Sequence, residues 1–282
     1  MILIADSGST KTDWRVIDRA GSIHQAKTVG INPYHQTMDS ISDTLTRELL
    51  PQLTVPVEEV FFYGAGCANE AIRQTVAQAM QRVFPSARVT VHSDLLAAAR
   101  ALCGHEAGIA CILGTGTNSC LYDGSTVVDN VPPLGYILGD EGSGTYLGKE
   151  LLNRFLKRDM PEPLRSQFAK RYSVTTDSVL DSVYRQPQPN RYLASFAKFA
   201  FHHLKHPYVA RLVYEGFRQF LEKNVCRYED HAQYKVHFTG SIAFYYSNLL
   251  RQVAGDLDIV VQNITESPIA GLALYHQRKS NT

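Results

Sequence analysis

Ile2-Leu3-Ile4-Ala5-Asp6-Ser7-Gly8-Ser9-Thr10 opens the chain, and Ala110-Cys111-Ile112-Leu113-Gly114-Thr115-Gly116-Thr117-Asn118-Ser119 restates it in the middle. Each copy is an apolar run of strand length, then a glycine flanked by hydroxyl residues, then a second strand leading away. In the first copy Thr12 to Asp18 alternates with Trp14 and Val16 on one face, and in the second the outgoing strand is Cys120 to Tyr122. An offset of 108 sets Ser7 on Thr115, Gly8 on Gly116 and Ser9 on Thr117. Such a repeat predicts two domains built on one plan. A small hairpin tip turns successive backbone N–H groups and hydroxyls toward an anion. One such tip is ordinary turn chemistry, but two of them could grip a polyphosphate.

Outward from the first hairpin, helical spacing appears at Ile41, Leu45 and Leu49, and again at Ile72, Val76, Met80 and Val83 behind a candidate Asn69 N-cap. Val60 to Tyr63 and Val89 to His92 read as short strands, so strand and helix alternate as in layered α/β domains. Beyond the second hairpin, Thr145 to Lys157, Arg191 to Leu204, Tyr208 to Val225 and Ala243 to Val253 carry the 3.6-residue period. Strands are expected at Lys235 to Phe238 and Leu257 to Val261, and a loop at Pro187 and Pro189. A closing helix is expected at Ile269 to Gln277 behind Pro268.

The 282 residues are 44% apolar, enough to bury a sizeable core. Lys plus Arg number 28 against 27 Asp plus Glu, which gives no basic field for counterion-driven nucleic-acid binding. The apolar runs fall far short of the roughly 20 residues a bilayer requires. The N-terminus, lacking a positive leader region, is not expected to be a signal peptide. Five cysteines without a CxxC pair suit buried thiols in a reducing cytosol, so the expected location is cytoplasmic, with neither nucleic acid nor membrane as a partner.

No G-x-x-x-x-G-K-[ST] or G-x-G-x-x-G is completed, so neither a P-loop nor a dinucleotide fold accounts for these glycines. The pattern instead resembles the sugar kinase/Hsp70/actin superfamily. The strand with Asp6-x-Gly8-x-Thr10-Lys11 looks like its first phosphate motif, and Leu113-Gly114-Thr115-Gly116-Thr117-Asn118 like its second. Phe238-Thr239-Gly240-Ser241 looks like its adenosine motif. Gly135-Tyr136-Ile137-Leu138-Gly139-Asp140-Glu141-Gly142-Ser143-Gly144 is similar to the signature of the N-acetylglucosamine kinase branch, which shares a domain with the BadF/BadG/BcrA/BcrD ATPases. The zinc-binding cysteines and E-x-G-H motif of the ROK sugar kinases are absent.

The resemblance implies a two-domain α/β, ribonuclease H-like fold with duplicated β-hairpin phosphate loops and an interdomain cleft. Residues 1–106 and 268–282 would form the N-terminal ATPase-like domain, and 107–267 the C-terminal one with helical insertions. It implies ATP held by Ser7, Gly8, Ser9, Thr10, Lys11, Thr115, Gly116 and Thr117, with Gly240 and Ser241 at the adenosine. Asp6 would hold Mg²⁺ through water, since that ion keeps most of its hydration shell. Asp94, after the strand Val89 to His92, would be the general base toward a sugar hydroxyl and a sugar contact; as a lone Asp at a strand-to-helix junction it could equally be an N-cap. Asp140 and Asn32 would bind sugar hydroxyls, and their ordinary alternatives are an Asx-turn or cap and an Asn-Pro turn.

The implied activity is phosphorylation of an N-acetylated amino sugar, N-acetylglucosamine or N-acetylmuramic acid, with a homodimer left open. One alternative is a BadF-type ATPase that activates a radical dehydratase through a thiolate-held Fe–S cluster; another is a non-catalytic ATP switch. His202, His203 and His206 include an i,i+4 pair that reads as a solvated helix face rather than a metal site. Cys67 reads as a packed thiol rather than a nucleophile.

Overall fold

The structure, a computed structural model, describes residues 1–8, 11–34, 36–67 and 69–279. The chain divides into two compact units. One holds Met1–Glu106, Asp123–Val127 and the closing segment from Ser267; the other holds Ala107–Tyr122 and Val128–Glu266.

In the first unit β1 (Ile2–Ser7) runs antiparallel to β2 (Lys11–Ile17), which pairs with β3 (Ile23–Val29). On its other side β1 pairs in parallel with β4 (Glu59–Gly64), and β4 with β5 (Arg88–Ser93), giving the order β3-β2-β1-β4-β5. Alternation along β1 and β4 serves both faces. Leu3, Ala5, Val60 and Phe62 enter one core with Trp14, while Ile4, Phe61 and Tyr63 point to the other. Each face is roofed by helices: α1 (Met38–Thr44) and α2 (Glu70–Val83) cover the first, and α3 (Asp94–Cys103) and α13 (Ile269–Lys279) the second. A sheet covered on both sides is the usual setting of parallel strands. Asn69 caps α2 as expected, its side chain accepting the Ile72 N–H at 3.0 Å, worth about 1 kcal/mol. The Ile41, Leu45, Leu49 stripe is buried, but after Thr44 the helix widens into a π-helical turn at Leu45–Leu49.

The second unit repeats the plan. β6 (Gly108–Leu113) is antiparallel to β7 (Thr117–Tyr122), which is followed at the sheet edge by β8 (Val127–Asp129). Parallel partners on the other side are β9 (Val236–Thr239) and β10 (Val261–Thr265), so the order is β8-β7-β6-β9-β10. Between β8 and β9 the chain inserts α4 (Gly135–Leu138), α5 (Gly144–Leu156), α6 (Leu164–Tyr172), α7 (Thr176–Tyr184), α8 (Pro189–Ser195), α9 (Ala197–His202) and α10 (Pro207–Lys223). Their apolar faces build one core with the sheet, rich in Phe168, Phe196, Phe199, Phe217 and Phe220.

Five expectations are corrected. Arg191 to Leu204 is two helices, α8 and α9, broken at Phe196, which is buried against Phe168, Tyr172 and Tyr192. Pro189 opens α8 rather than lying in a loop, as suits a proline in a first turn. Ala243 to Val253 is likewise α11 (Ser241–Tyr245) and α12 (Ser247–Gly255), parted at Tyr246, whose buried hydroxyl donates to the Ala197 carbonyl at 2.7 Å. Leu257 to Val261 is not a strand: Asp258 takes a left-handed φ of 56° and the Ile259 N–H returns to the Ala254 carbonyl, so β10 starts only at Val261. The histidines do not share a helix either, since α9 ends at His202 and His206 is the N-cap of α10.

Candidate active site

In the first unit three parallel strands end side by side, with Ser7, Gly64 and Ser93 in register, and ligands of α/β sheets bind at such carboxyl ends. Asp6 sits one residue before the end of β1, and Asp94 directly follows β5. Ser93, not Asp94, caps α3: its hydroxyl accepts the Leu96 N–H at 3.3 Å. Asp94 is thereby the first helical residue, a half-buried carboxylate close to first-turn amides, and among the described residues no cation pairs with it in a salt bridge. Burial pushes its pKa up to about 6, with the Leu95 and Asp94 amides pulling the other way. Asp6 is pushed up to about 6 mainly by burial, and the Asp94 and Asp13 charges add to the rise while a hydrogen bond from the Ser267 hydroxyl (3.2 Å) opposes it. The Asp94 charge is thus felt at Asp6, which sets the two carboxyls close to one another in this unit. Sequence reasoning missed Ser267; its one signal is its place just before Pro268 and the closing helix.

The first hairpin tip differs from the expectation in detail. The Ser7 hydroxyl is buried and spent inside the unit: it shares a hydrogen bond with Thr12 (2.7 Å), donates to the Ile31 carbonyl and accepts the Ile31 N–H, both at 3.0 Å. The Gly8 N–H closes the turn on the Lys11 carbonyl at 3.1 Å. Gly8 itself is exposed, and a Cβ there would meet only the Lys11 carbonyl oxygen at 3.8 Å, so its outer side is open. Lys11 pairs with Asp13 at 2.7 Å and keeps most of its side chain in solvent. Ser9 and Thr10 lie outside the described residues. Asn32 forms the Asx turn of the ordinary reading, its Oδ1 accepting the Tyr34 N–H at 3.0 Å, and it lies against Gly66. Cys67 is fully buried, its thiol pushed up to about 12, as befits a packed thiol.

In the second unit the hairpin closes one residue sooner, its last pair being Leu113 with Thr117 against Ser7 with Thr12 in the first. β1 and β6 begin at Ile2 and Gly108 and end at Ser7 and Leu113, an offset of 106, so the strands and the 108-residue motif spacing are out of step by two. The turn is again closed by the first glycine, Gly114 N–H donating to the Gly116 carbonyl at 3.0 Å. Among the described residues, the Thr115 and Gly116 amides have no acceptor. The Gly139–Gly144 segment is sewn onto this tip: Gly144 N–H donates to the Gly114 carbonyl (2.8 Å), and Thr145 reaches the Thr115 carbonyl with its N–H (3.0 Å) and its hydroxyl (2.6 Å). Asp140, at a left-handed φ of 57°, lays its carboxylate on the hairpin, where Oδ1 accepts the Thr117 N–H at 2.9 Å and lies 3.5 Å from the Thr117 hydroxyl. Its neighbour Glu141 turns away to Lys223 at 2.9 Å. Burial raises the Asp140 pKa, and the two Thr117 contacts oppose that rise. Gly240 packs against the Leu113 carbonyl and the Gly114 amide at a φ of 114°, which only glycine accommodates freely, and Ser241 is exposed beside it.

Residues 5–243 match the BadF/BadG/BcrA/BcrD ATPase family. The chain belongs to that family. A crystal structure of a candidate N-acetylglucosamine kinase from Porphyromonas gingivalis is 44% identical with a TM-score of 0.92, covering 99% of this chain and all of that one (100%). A second candidate N-acetylglucosamine kinase, from Chromobacterium violaceum, shares the fold at 18% identity and a TM-score of 0.75, covering 97% of this chain and 98% of its own. A candidate N-acetylmannosamine kinase from Listeria monocytogenes does so at 14% and 0.55, covering 100% and 99%. Among curated proteins none matches the sequence. The family and fold that the duplicated hairpins and the Gly-Asp-Glu-Gly-Ser stretch imply are thus those of this ATPase family. Among the described residues, no helix is long and apolar enough to cross a membrane.

Proposed function

We propose that this chain is an ATP-dependent kinase that transfers the γ-phosphoryl group to a hydroxyl of an N-acetylated amino sugar, N-acetylglucosamine or a near relative such as N-acetylmuramic acid. The observation that carries this reading is Asp94: a carboxylate at the carboxyl end of a parallel strand, relieved of capping by Ser93, with a pKa of about 6. A base of that strength is mostly ionised at neutral pH yet able to take a proton. The sugar oxygen attacks phosphorus as its proton passes to Asp94, the bond to the β,γ-bridging oxygen breaks, and ADP departs. Asp140 accepts hydrogen bonds from sugar hydroxyls in this scheme, and Asn32 is a further sugar contact.

The open faces of Gly8 and Gly114 support phosphate approach at the two tips, as does the Thr115 amide. Among the described residues no group of three or more His, Cys, Asp or Glu could hold a metal ion. Mg²⁺ in this reading is therefore carried mainly by the phosphates and its own waters, with Asp6 as an acceptor toward that shell. The bound ion supplies charge neutralisation at the transferring phosphoryl group. The reading places the reaction in the cytoplasm.

A panel of amino sugars incubated with ATP and Mg²⁺, followed by ADP release and product mass, tests the proposal. Sugar-dependent ADP release with a phosphorylated N-acetyl sugar is expected. Nucleotide turnover indifferent to every sugar, with stoichiometric iron in anaerobically purified protein, would favour the dehydratase-activator alternative.

A further inference from the structure

Gly116 is a glycine without a backbone reason. Its φ lies outside the left-handed region, so alanine would be accepted by the main chain. What denies it a side chain is Asp140: a Cβ on Gly116 would lie 2.9 Å from Oδ2 and 3.0 Å from Oδ1 of that carboxylate. Gly114, two residues earlier in the same tip, has nothing within 4 Å of its would-be Cβ, and Gly8 only an ordinary contact. The glycines of the two hairpins therefore separate into those with an open face and one that is filled from inside its own unit. Asp140 is held there by a second residue. Thr117 gives Oδ1 both its N–H (2.9 Å) and, more weakly, its hydroxyl (3.5 Å), and these buried contacts bridge 23 positions of sequence. The neighbouring backbone fixes the Asp140 main chain, because the Asp140 N–H reaches the Pro133 carbonyl at 3.2 Å and the Ser143 N–H reaches the Asp140 carbonyl at 3.1 Å.

We propose that Gly116 and Thr117 of the second hairpin are positioning residues for the Asp140 carboxylate, so that this half of the tip sets sugar specificity while Gly114 and Thr115 face the nucleotide. The inference rests on the reading of Asp140 as a sugar ligand. A hydrogen bond from a buried donor fixes which way the carboxylate lone pairs point. A site built to hydrogen-bond a substrate hydroxyl discriminates by that geometry. Moving Asp140 by even the width of a methyl group would misalign it for sugar while leaving Gly114 and Thr115 unchanged.

Gly116→Ala, Thr117→Val and Thr117→Ser test this in the full chain by two readouts. The first is independent of activity: the Asp140 side-chain carboxyl is titrated by ¹³C NMR. Losing the hydroxyl contact in Thr117→Val should raise its pKa by about half a unit, since hydrogen bonds to the ionised form favour it, and Thr117→Ser should restore the wild-type value. The second is kinetic. Gly116→Ala should raise the KM for N-acetylglucosamine about tenfold or more and leave the KM for ATP within about twofold, with Thr117→Val in the same direction and smaller. An Asp140 titration unchanged in both Thr117→Val and Gly116→Ala would overturn the proposal, as would a rise in the ATP KM matching that for sugar. If the wild-type protein phosphorylates no amino sugar, the functional reading falls, and the titration still decides whether Thr117 and Gly116 position Asp140.

Discussion

Asp94 and Asp6 are each held about two pKa units above an ordinary carboxylate, and the cost of that is borne by the fold. A carboxyl whose folded pKa exceeds its unfolded one binds more protons in the native state, so stability is full below pH 4 and declines as pH rises toward 6. At neutral pH each such site costs on the order of 2–3 kcal/mol. Asp94→Asn should therefore raise the urea midpoint at pH 7.5 and change it little at pH 3.5, while turnover falls by about 10²-fold or more because the amide cannot take the proton. A variant destabilised at both pH values would mean that the carboxylate is a structural contact. The same pKa sets the pH profile: kcat/KM should climb with pH to a plateau above about 6, on a limb whose slope lies between one and two because Asp6 titrates in the same window. A flat profile between pH 5 and 7 would remove Asp94 from the proton-transfer step. Residue by residue, the sequence points to Asp6 and Asp140 through their places in motifs and to Asp94 through its strand-to-helix junction. It does not show that Ser93 takes the cap, that the Ser7 hydroxyl is consumed by Ile31, or that Asp140 lies on Thr117. Each of these depends on a side chain meeting a partner that no local spacing specifies.

Elements meet through glycines as much as through apolar side chains. At Gly148 a Cβ would drive into the Leu193 carbonyl, so α5 and α8 touch backbone to backbone, and at Gly271 α13 makes the same approach to Ala101 of α3. Gly148→Ala has to part α5 from α8, and overpacking of this kind typically costs about 1–3 kcal/mol. The expected outcome is a lowered urea midpoint with an unchanged slope, and a variant as stable as the wild type would mean that the two helices slide freely. Helix existence was well signalled by the 3.6-residue period, as in α2, α5 and α10. Breaks were not, because Phe196 and Tyr246 interrupt periodic runs for the sake of ring burial and a distant carbonyl. The edge strand β10 was misplaced for a related reason: its Gln262 and Asn263 are exposed, so the apolar residues Leu257 and Ile259 that suggested a strand belong to the turn after α12.

At the scale of the whole molecule, the repeat in the sequence corresponds to two sheets with one strand order, three strands in a meander followed by two in parallel. That correspondence was legible because the apolar runs of β1 and β6 and the glycines after them are local. The helices α6 and α7 of the second unit were not, since Leu164–Tyr172 carries few apolar residues and its burial rests on Leu164 and Phe168 alone. A protein built to hold ATP should melt later with it: at 100 times Kd a nucleotide that binds only the native state adds about 2.7 kcal/mol, read as a rise in Tm. Unchanged melting at saturating ATP and Mg²⁺ would contradict the nucleotide assignment. The most direct test of the central claim follows the γ-phosphorus itself. ³¹P NMR of ATP, Mg²⁺ and N-acetylglucosamine with the wild-type chain should show a sugar phosphate monoester growing at the rate ADP appears, and Asp94→Asn should show neither while still binding both substrates. Inorganic phosphate in place of the monoester, or an Asp94→Asn variant that makes the monoester at the wild-type rate, would contradict it.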